Sequence, residues 1–184
     1  MGVRCGLDQS SEGDETMLYI FSGLPGTGKT TLASALATKL SATYLRVDVV
    51  EQAMRDVGQT VEGPEGYMVC YAIASQNLQL GLDVIADTVN PIEITRQAWR
   101  NVAVSLGISF VEIEVICSDV NEHRHRVESR TADIPGFVQP TWEQVRNREY
   151  DIWDQDHIVI DTAHQTVVAS LNTLFEQLEE KRNY

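Results

Sequence analysis

The segment LYIFSGLPGTGKTTLASALATKL, residues 18–40, constrains this chain more than any other. A short apolar run meets three closely spaced glycines, then a lysine, two threonines and an Ala/Leu-rich stretch. Gly23, Gly26 and Gly28 can take positive φ at little steric cost and leave their amide groups uncovered. Leu32, Leu36 and Leu40 recur every four residues with alanines between them, which predicts a helix with one apolar face. A helix N-terminus carries free N–H groups and a partial positive charge, so a glycine-rich loop opening into one is an anion site suited to polyphosphate.

Gly23, Gly28, Lys29 and Thr30 stand at the full P-loop spacing, Gly-x-x-x-x-Gly-Lys-Thr, between a strand pattern and a helix pattern. The predicted nucleotide cradle is Gly23, Leu24, Pro25, Gly26, Thr27, Gly28, Lys29, Thr30 and Thr31. In such a cradle Lys29 reaches the β- and γ-phosphate oxygens of ATP, the Thr30 hydroxyl ligates Mg²⁺, and Thr31 sits near the α-phosphate. A dinucleotide-binding loop is a poor match, because Thr31 stands where a third glycine is needed.

Strand patterns occur at 18–22, 43–47, 83–87, 110–116 and 157–160. Helical patterns lie between and after them, at 29–40, 49–56, 66–80, 93–106, 120–130, 141–149 and 165–181, the last with a stripe of Val168, Leu171, Leu174, Phe175 and Leu178. Alternating strands and helices predict a parallel sheet with right-handed crossovers. Pro135, Gly136 and Pro140 make 131–140 a loop. Residues 1–16 are polar and acidic and read as a disordered tail, which leaves one domain over 17–184. No apolar run approaches the roughly 20 residues of a membrane span, and the start lacks a signal-peptide core, so a cytoplasmic protein is expected. Cys5, Cys70 and Cys117 are too widely spaced to suggest a metal or redox pair.

A parallel sheet gathers its functional loops at the carboxyl ends of its strands. The P-loop, Asp48, Asp87 and Asp161 are therefore expected on one edge. Asp48 follows a strand and opens a helix, the place of a helix cap and equally of a carboxylate that takes a proton from an attacking hydroxyl. Asp87 ends a buried strand, where it needs a partner: Mg²⁺ through water, or hydrogen bonds from Thr88 or Asn90. Arg126 and Arg130 share a helix face before the 131–140 loop. That loop can close over bound phosphate as a lid, and arginines at its base can stack on adenine and neutralise transition-state charge; Glu122 at i−4 from Arg126 offers a plain surface ion pair instead. His123 and His125 point to different faces and read as surface residues. Arg96 and Arg100 can hold an anionic acceptor or pair with Glu93 and other glutamates, the latter favoured for Arg100.

The net charge of −13 argues against nucleic acid and anionic membranes as partners. Seven of the 14 basic residues nonetheless lie within 96–148, where seven acidic residues balance them. Such a segment serves a local anion or a set of surface ion pairs.

With the P-loop, Asp48, VIADTVNPIEITRQAWR, CSDVNEHRHRVESR and PTWEQVRNREYDIW in view, the chain resembles the small P-loop kinases of the predicted-kinase group. These are similar to adenylylsulfate kinase, gluconate kinase, shikimate kinase, chloramphenicol phosphotransferase and zeta toxin. The resemblance spans about residues 17–180. It implies a five-stranded parallel sheet of order 2-3-1-4-5, ATP with Mg²⁺, Asp48 as catalytic carboxylate, and Arg126 and Arg130 as lid arginines, but specifies no acceptor; the leading expectation is a kinase that passes the γ-phosphate to a small-molecule hydroxyl. Several relatives carry Asp-x-x-Arg, with the arginine on the acceptor. Here Glu51 occupies that place and Arg55 lies one turn further on. The segment 51–80 is the expected acceptor-recognition region, with Tyr67, Tyr71 and Gln76 as pocket or packing residues. The alternatives are a polynucleotide 5′-hydroxyl kinase and a nucleotide-dependent regulatory NTPase. A GTPase lacks its Asn-Lys-x-Asp here, and an AAA+ motor lacks room for a helical lid domain.

Overall fold

The computed structural model describes residues 15–182. Of the tail expected over 1–16, all but Glu15 and Thr16 lies outside the described residues. Five strands, β1 (Met17–Ser22), β2 (Thr43–Arg46), β3 (Val84–Asp87), β4 (Ser109–Ile116) and β5 (Ile158–Asp161), form one sheet in the order β2-β3-β1-β4-β5. Every neighbouring pair is parallel, which matches the expected sheet and order. The helices are α1 (Lys29–Leu40), α2 (Val47–Asp56), α3 (Glu65–Gln79), α4 (Glu93–Val104), α5 (Val120–Ser129), α6 (Trp142–Arg146) and α7 (Val167–Arg182).

The central strand β1 shows why an unbroken apolar run suits this sheet. Tyr19 and Phe21 point to the layer of α1 and α7, where they meet Leu32, Leu36, Leu174 and Leu178. Leu18 and Ile20 point to the opposite layer, where they meet Cys70, Ala74 and Leu78 of α3 and Trp99 and Ala103 of α4. A strand covered on both faces needs apolar residues at every position. Each fully buried leucine or isoleucine contributes about 1.5–3 kcal/mol. In the α7 stripe, Leu174 and Leu178 are buried, whereas Val168 is 67% exposed and lies off the packed face.

Local signals set several helix starts. The Asp119 carboxylate accepts from the amides of Asn121 and Glu122 to cap α5. Thr141 and Gln144 form a capping box on α6. No helix among the described residues is long and apolar enough to cross a membrane.

The strand ends are stitched along one edge. The Gly23 amide donates to the Val89 carbonyl at 3.1 Å, Thr88 to Phe21 at 3.2 Å, and Thr162 to Ile116 at 2.9 Å. Register places Asp87 beside both Phe21 and Arg46, and Asp161 beside Ile116. The loops after all five strands thus meet at the carboxyl edge, as parallel topology requires.

Candidate active site

The P-loop backbone bends where the glycines allow it. Gly23, Gly26 and Gly28 have φ of 141°, 88° and 95°. A Cβ on Gly23 would lie 2.3 Å from the Val115 carbonyl oxygen, and one on Gly26 would lie 2.5 Å from Val127 Cγ2. Both positions therefore exclude side chains on space as well as on conformation. Gly28 is the N-cap of α1, with no side chain hydrogen-bonded to the helix start and no acidic residue in its first turn. The amides of that turn are left for an anion.

Three side chains hold the loop from beneath. Thr27 Oγ1 donates to the Leu24 carbonyl at 3.0 Å. The Thr162 hydroxyl, after β5, lies 2.7 Å from the Thr27 carbonyl. His123 Nε2 donates to the Pro25 carbonyl at 2.9 Å, with its ring edge-on to Trp142 at 5.2 Å. The surface position expected for His123 is corrected here: it is buried, because α5 docks under the P-loop through His123 and Val127. His125, on the other face, is exposed as expected.

Two cavities open around Lys29 and Thr30. The larger, about 630 Å³, is lined by Pro25, Lys29, Thr30, Asp48, Glu51, Arg55, Tyr67, Arg130, Arg148 and the 136–140 loop, among others. The second, about 380 Å³, is lined by Gly26, Gly28, Lys29, Thr30, Thr31, Arg126, Arg130 and Asp133. Gly28, Thr31, Arg126 and Thr162 also border a further hollow of about 280 Å³ with Leu32 and Val167. Lys29, Thr30 and Asp48 are brought together as predicted.

Asp48 lies in the first turn of α2, but the N-cap is Arg46 and no side chain caps that helix. The cap role is therefore not the one Asp48 takes. Its half-buried carboxylate lines the larger cavity, in the field of Arg46 and Arg130, and accepts no hydrogen bond from the described residues.

Asp87 is buried, and its partners differ from those expected. The Tyr44 hydroxyl donates to it at 2.6 Å, and Arg46 Nε lies 3.8 Å away. Burial and the Asp87 charge push the Tyr44 phenol well above its usual range. Thr88 instead donates to the Tyr67 hydroxyl at 2.6 Å, and Asn90 to Ser22 at 3.1 Å.

The two arginines expected at the base of a lid separate. Arg126 is tied down, donating to Glu122 at 2.5 Å, to the Thr162 hydroxyl at 2.7 Å and to the Thr162 carbonyl at 2.9 Å. Arg130, the C-cap residue of α5, has a buried Nε without a hydrogen bond and lines both main cavities. Burial pulls its pKa down, against the Asp48 charge.

The arginine-rich segment divides between cavity walls, surface and interior. Arg126, Arg130 and Arg148 line cavities, and Arg124 pairs with Glu128 on the surface. Arg100 pairs with Glu112 in the interior and with the partly exposed side chain of Glu93. Arg96 is fully buried, and its partners are backbone and aromatic groups. It donates to the carbonyls of Asn90, Pro91 and Asp151 and lies 4.0 Å from the Trp153 ring. In the 51–80 segment, Tyr67 lines the cavity, Tyr71 packs edge-on to Trp99 at 4.6 Å, and Gln76 is exposed. Arg55 lines the cavity and is joined to Glu51 at 3.0 Å. The residue the sequence reading missed is Arg46. It reads as an ordinary strand residue, and only its place two residues before Asp48 hints at the site.

Residues 18–149 match a family model described as an AAA domain. The chain is 27% identical over 169 residues, 84% of its length and 87% of the relative's, to a probable adenylyl-sulfate kinase of Aeropyrum pernix. A solved Chloroflexus aurantiacus protein is similar in fold, with a TM-score of 0.69 at 24% identity, covering 90% of this chain and 97% of that one. So is the APS kinase CysC of Mycobacterium tuberculosis, solved with AMPPNP and APS, with a TM-score of 0.61 at 17% identity over 90% and 98% of the two chains.

Proposed function

The chain belongs to the AAA-domain family of P-loop proteins, and from that premise we propose that it is a phosphotransferase. It moves the γ-phosphate of ATP to a hydroxyl of a small molecule that also carries an anionic group. The matched region is the nucleotide-binding core; the described residues after it supply β5 and α7, which complete the sheet and its covering layer. The kinase reading rests on the larger cavity: it joins the P-loop lysine to a carboxylate free of hydrogen bonds, Asp48, in one space of about 630 Å³. Such a space suits a metabolite-sized ligand.

Lys29 and the α1 amides hold the β- and γ-phosphates, and Arg126 and Arg130 the donor side of the cradle. Glycines whose Cβ atoms would strike Val115 and Val127 fit a loop that must wrap closely around phosphate. Mg²⁺, when bound, neutralises phosphate charge. Thr30, which lines both main cavities, would hold it; Asp87, the carboxylate also expected to hold it, is buried at the end of β3 on the Tyr44 hydroxyl and lines neither cavity. Asp48 accepts the proton of the acceptor hydroxyl.

The cavity wall carries five cations, Lys29, Arg46, Arg55, Arg130 and Arg148, against two carboxylates, Asp48 and Glu51. In a protein of net charge −13 that local excess of cations supports an anionic acceptor. Arg55 and Arg148 are not shared with the phosphate cavity and are the residues assigned to it.

The test is ADP release on a panel of hydroxyl compounds, with Lys29→Ala as control. Sugar acids, sugar phosphates, adenylylsulfate, neutral sugars, an aminoglycoside and a 5′-hydroxyl oligonucleotide belong on it. Stimulation by an anionic small molecule with phosphate incorporated into it is expected. Stimulation by the oligonucleotide alone, or full activity of Lys29→Ala, refutes the reading.

A further inference from the structure

The two main cavities share five lining residues, Lys29, Thr30, Arg46, Arg130 and Gln139. If ATP enters one cavity and the acceptor the other, the transferred phosphoryl group crosses where they join. Three of the five junction residues are cations. Lys29 and Arg130 are accounted for above; Arg46 is not.

Arg46 is the last residue of β2, and its guanidinium is occupied by a carboxylate from the lid loop. Nη1 and Nη2 grip the two oxygens of Asp133 as a fork, with Nη2 3.1 Å from Oδ1. Its Nε is buried without a hydrogen bond, 3.8 Å from Asp87. Asp133 lines only the phosphate-side cavity, in company with Lys29, Arg126 and Arg130. A carboxylate there presents the same pair of anionic oxygens that a phosphate presents, and a guanidinium fork accepts either. The two partners also differ in anchorage. The Arg46 side chain is 15% exposed and Asp133 59%, so Asp133 is the member that can leave into solvent. Solvent reaches the Asp133 side of the pair and screens it, so the fork is open to exchange for another anion.

We infer that Arg46 is a catalytic arginine for the γ-phosphoryl group, and that Asp133 is a built-in anion which occupies it until ATP exchanges for it. This rests on the ATP reading above. It adds a residue to the site and an autoinhibitory contact to the lid. Because the fork is directed to the third phosphate, Arg46 separates ATP from ADP, and Asp133 competes with ATP alone.

Calorimetric titration with a non-hydrolysable ATP analogue and with ADP, both with Mg²⁺, tests this on wild type, Arg46→Ala, Asp133→Asn and the double variant. Loss of a charge-assisted fork should weaken the ATP analogue by about tenfold or more in Arg46→Ala, with ADP changed less than about twofold. Asp133→Asn should tighten the analogue about threefold, and the gain should vanish when Arg46 is also alanine. Equal weakening of both nucleotides in Arg46→Ala overturns the inference, since that is the mark of a structural role. Weaker analogue binding in Asp133→Asn overturns the competing-anion role, because the pair would then hold the lid in its binding position. A wild type that binds neither nucleotide refutes the ATP reading and this one together. A wild type that binds both, with an unchanged ratio in Arg46→Ala, refutes this one alone.

Discussion

Replacing Arg100 by methionine tests how the interior of this fold carries charge. Glu112 sits in the middle of β4, beside Ile20, and its side chain is 1% exposed. Arg100 Nη1 lies 3.1 Å and 3.4 Å from its two oxygens. The guanidinium also pairs with Glu93, whose side chain is 42% exposed and can rehydrate. Glu112 cannot. Methionine keeps the length and apolar stem of Arg100 but leaves Glu112 as an uncompensated buried charge, which costs about 3–5 kcal/mol. For a domain of this size that corresponds to a fall in Tm of roughly 6–20 °C.

The loss should depend on pH. Burial raises the Glu112 pKa above the usual carboxylate value, and Arg100 opposes that rise. A carboxylate with a raised folded pKa binds its proton more tightly in the native state. Its contribution to stability is therefore greatest below about pH 4 and is lost as pH rises through the folded value. Without Arg100 the folded value climbs further. Urea unfolding should then show a smaller penalty at pH 5, nearer the raised folded value, than at pH 8. Adding Glu112→Leu should return stability to within about 1 kcal/mol of wild type or above it. A penalty under about 1 kcal/mol, or one equal at both pH values, refutes the trapped-charge reasoning.

Asp48→Asn should lower kcat by about 10²–10⁴-fold while ATP affinity stays within about twofold, read from steady-state kinetics and calorimetry. Retained kcat makes Asp48 a bystander. His123→Leu keeps apolar contact with Trp142 and Val127 but orphans the Pro25 carbonyl. It should cost about 1–3 kcal/mol in urea unfolding and weaken ATP binding, and unchanged ATP affinity would show that the P-loop holds its shape without it. Burial pushes the Cys70 thiol up to about 11. Its labelling by a disulfide reagent at pH 8 should therefore await unfolding, and rapid native labelling, assigned by peptide mapping, contradicts that burial.

The order of elements was legible because it rests on local rules. Alternation of apolar strands with amphipathic helices implies parallel pairing, and parallel pairing brings the strand ends to one edge. That is why the sequence alone puts the P-loop, Asp48, Asp87 and Asp161 on one edge. The readings that needed correction concern residues whose partners lie far along the chain. His123 looked like a surface histidine because its sequence neighbours are charged; its partner, Pro25, is 98 residues away. Of the partners expected for Asp87, the hydrogen bonds from Thr88 and Asn90 in its own loop give way to Tyr44 and Arg46 on the adjacent strand. Arg46 carries no local signal beyond its place two residues before Asp48, since its partner Asp133 lies 87 residues further on.

By itself, then, the sequence determined the phosphate cradle, the five-strand parallel sheet and the edge where chemistry gathers. Each of these follows from short-range sterics and periodicity, which glycine spacing and apolar repeats encode directly. Only the tertiary structure decided how the charges are shared out: Arg96 and Arg100 to the core, Arg126 to Glu122 and Thr162, Arg46 and Arg130 to the junction of the two cavities. A charged side chain takes its partner from whatever the fold brings within about 4 Å, at an energy set by local burial, and neither is written in the residues on either side of it.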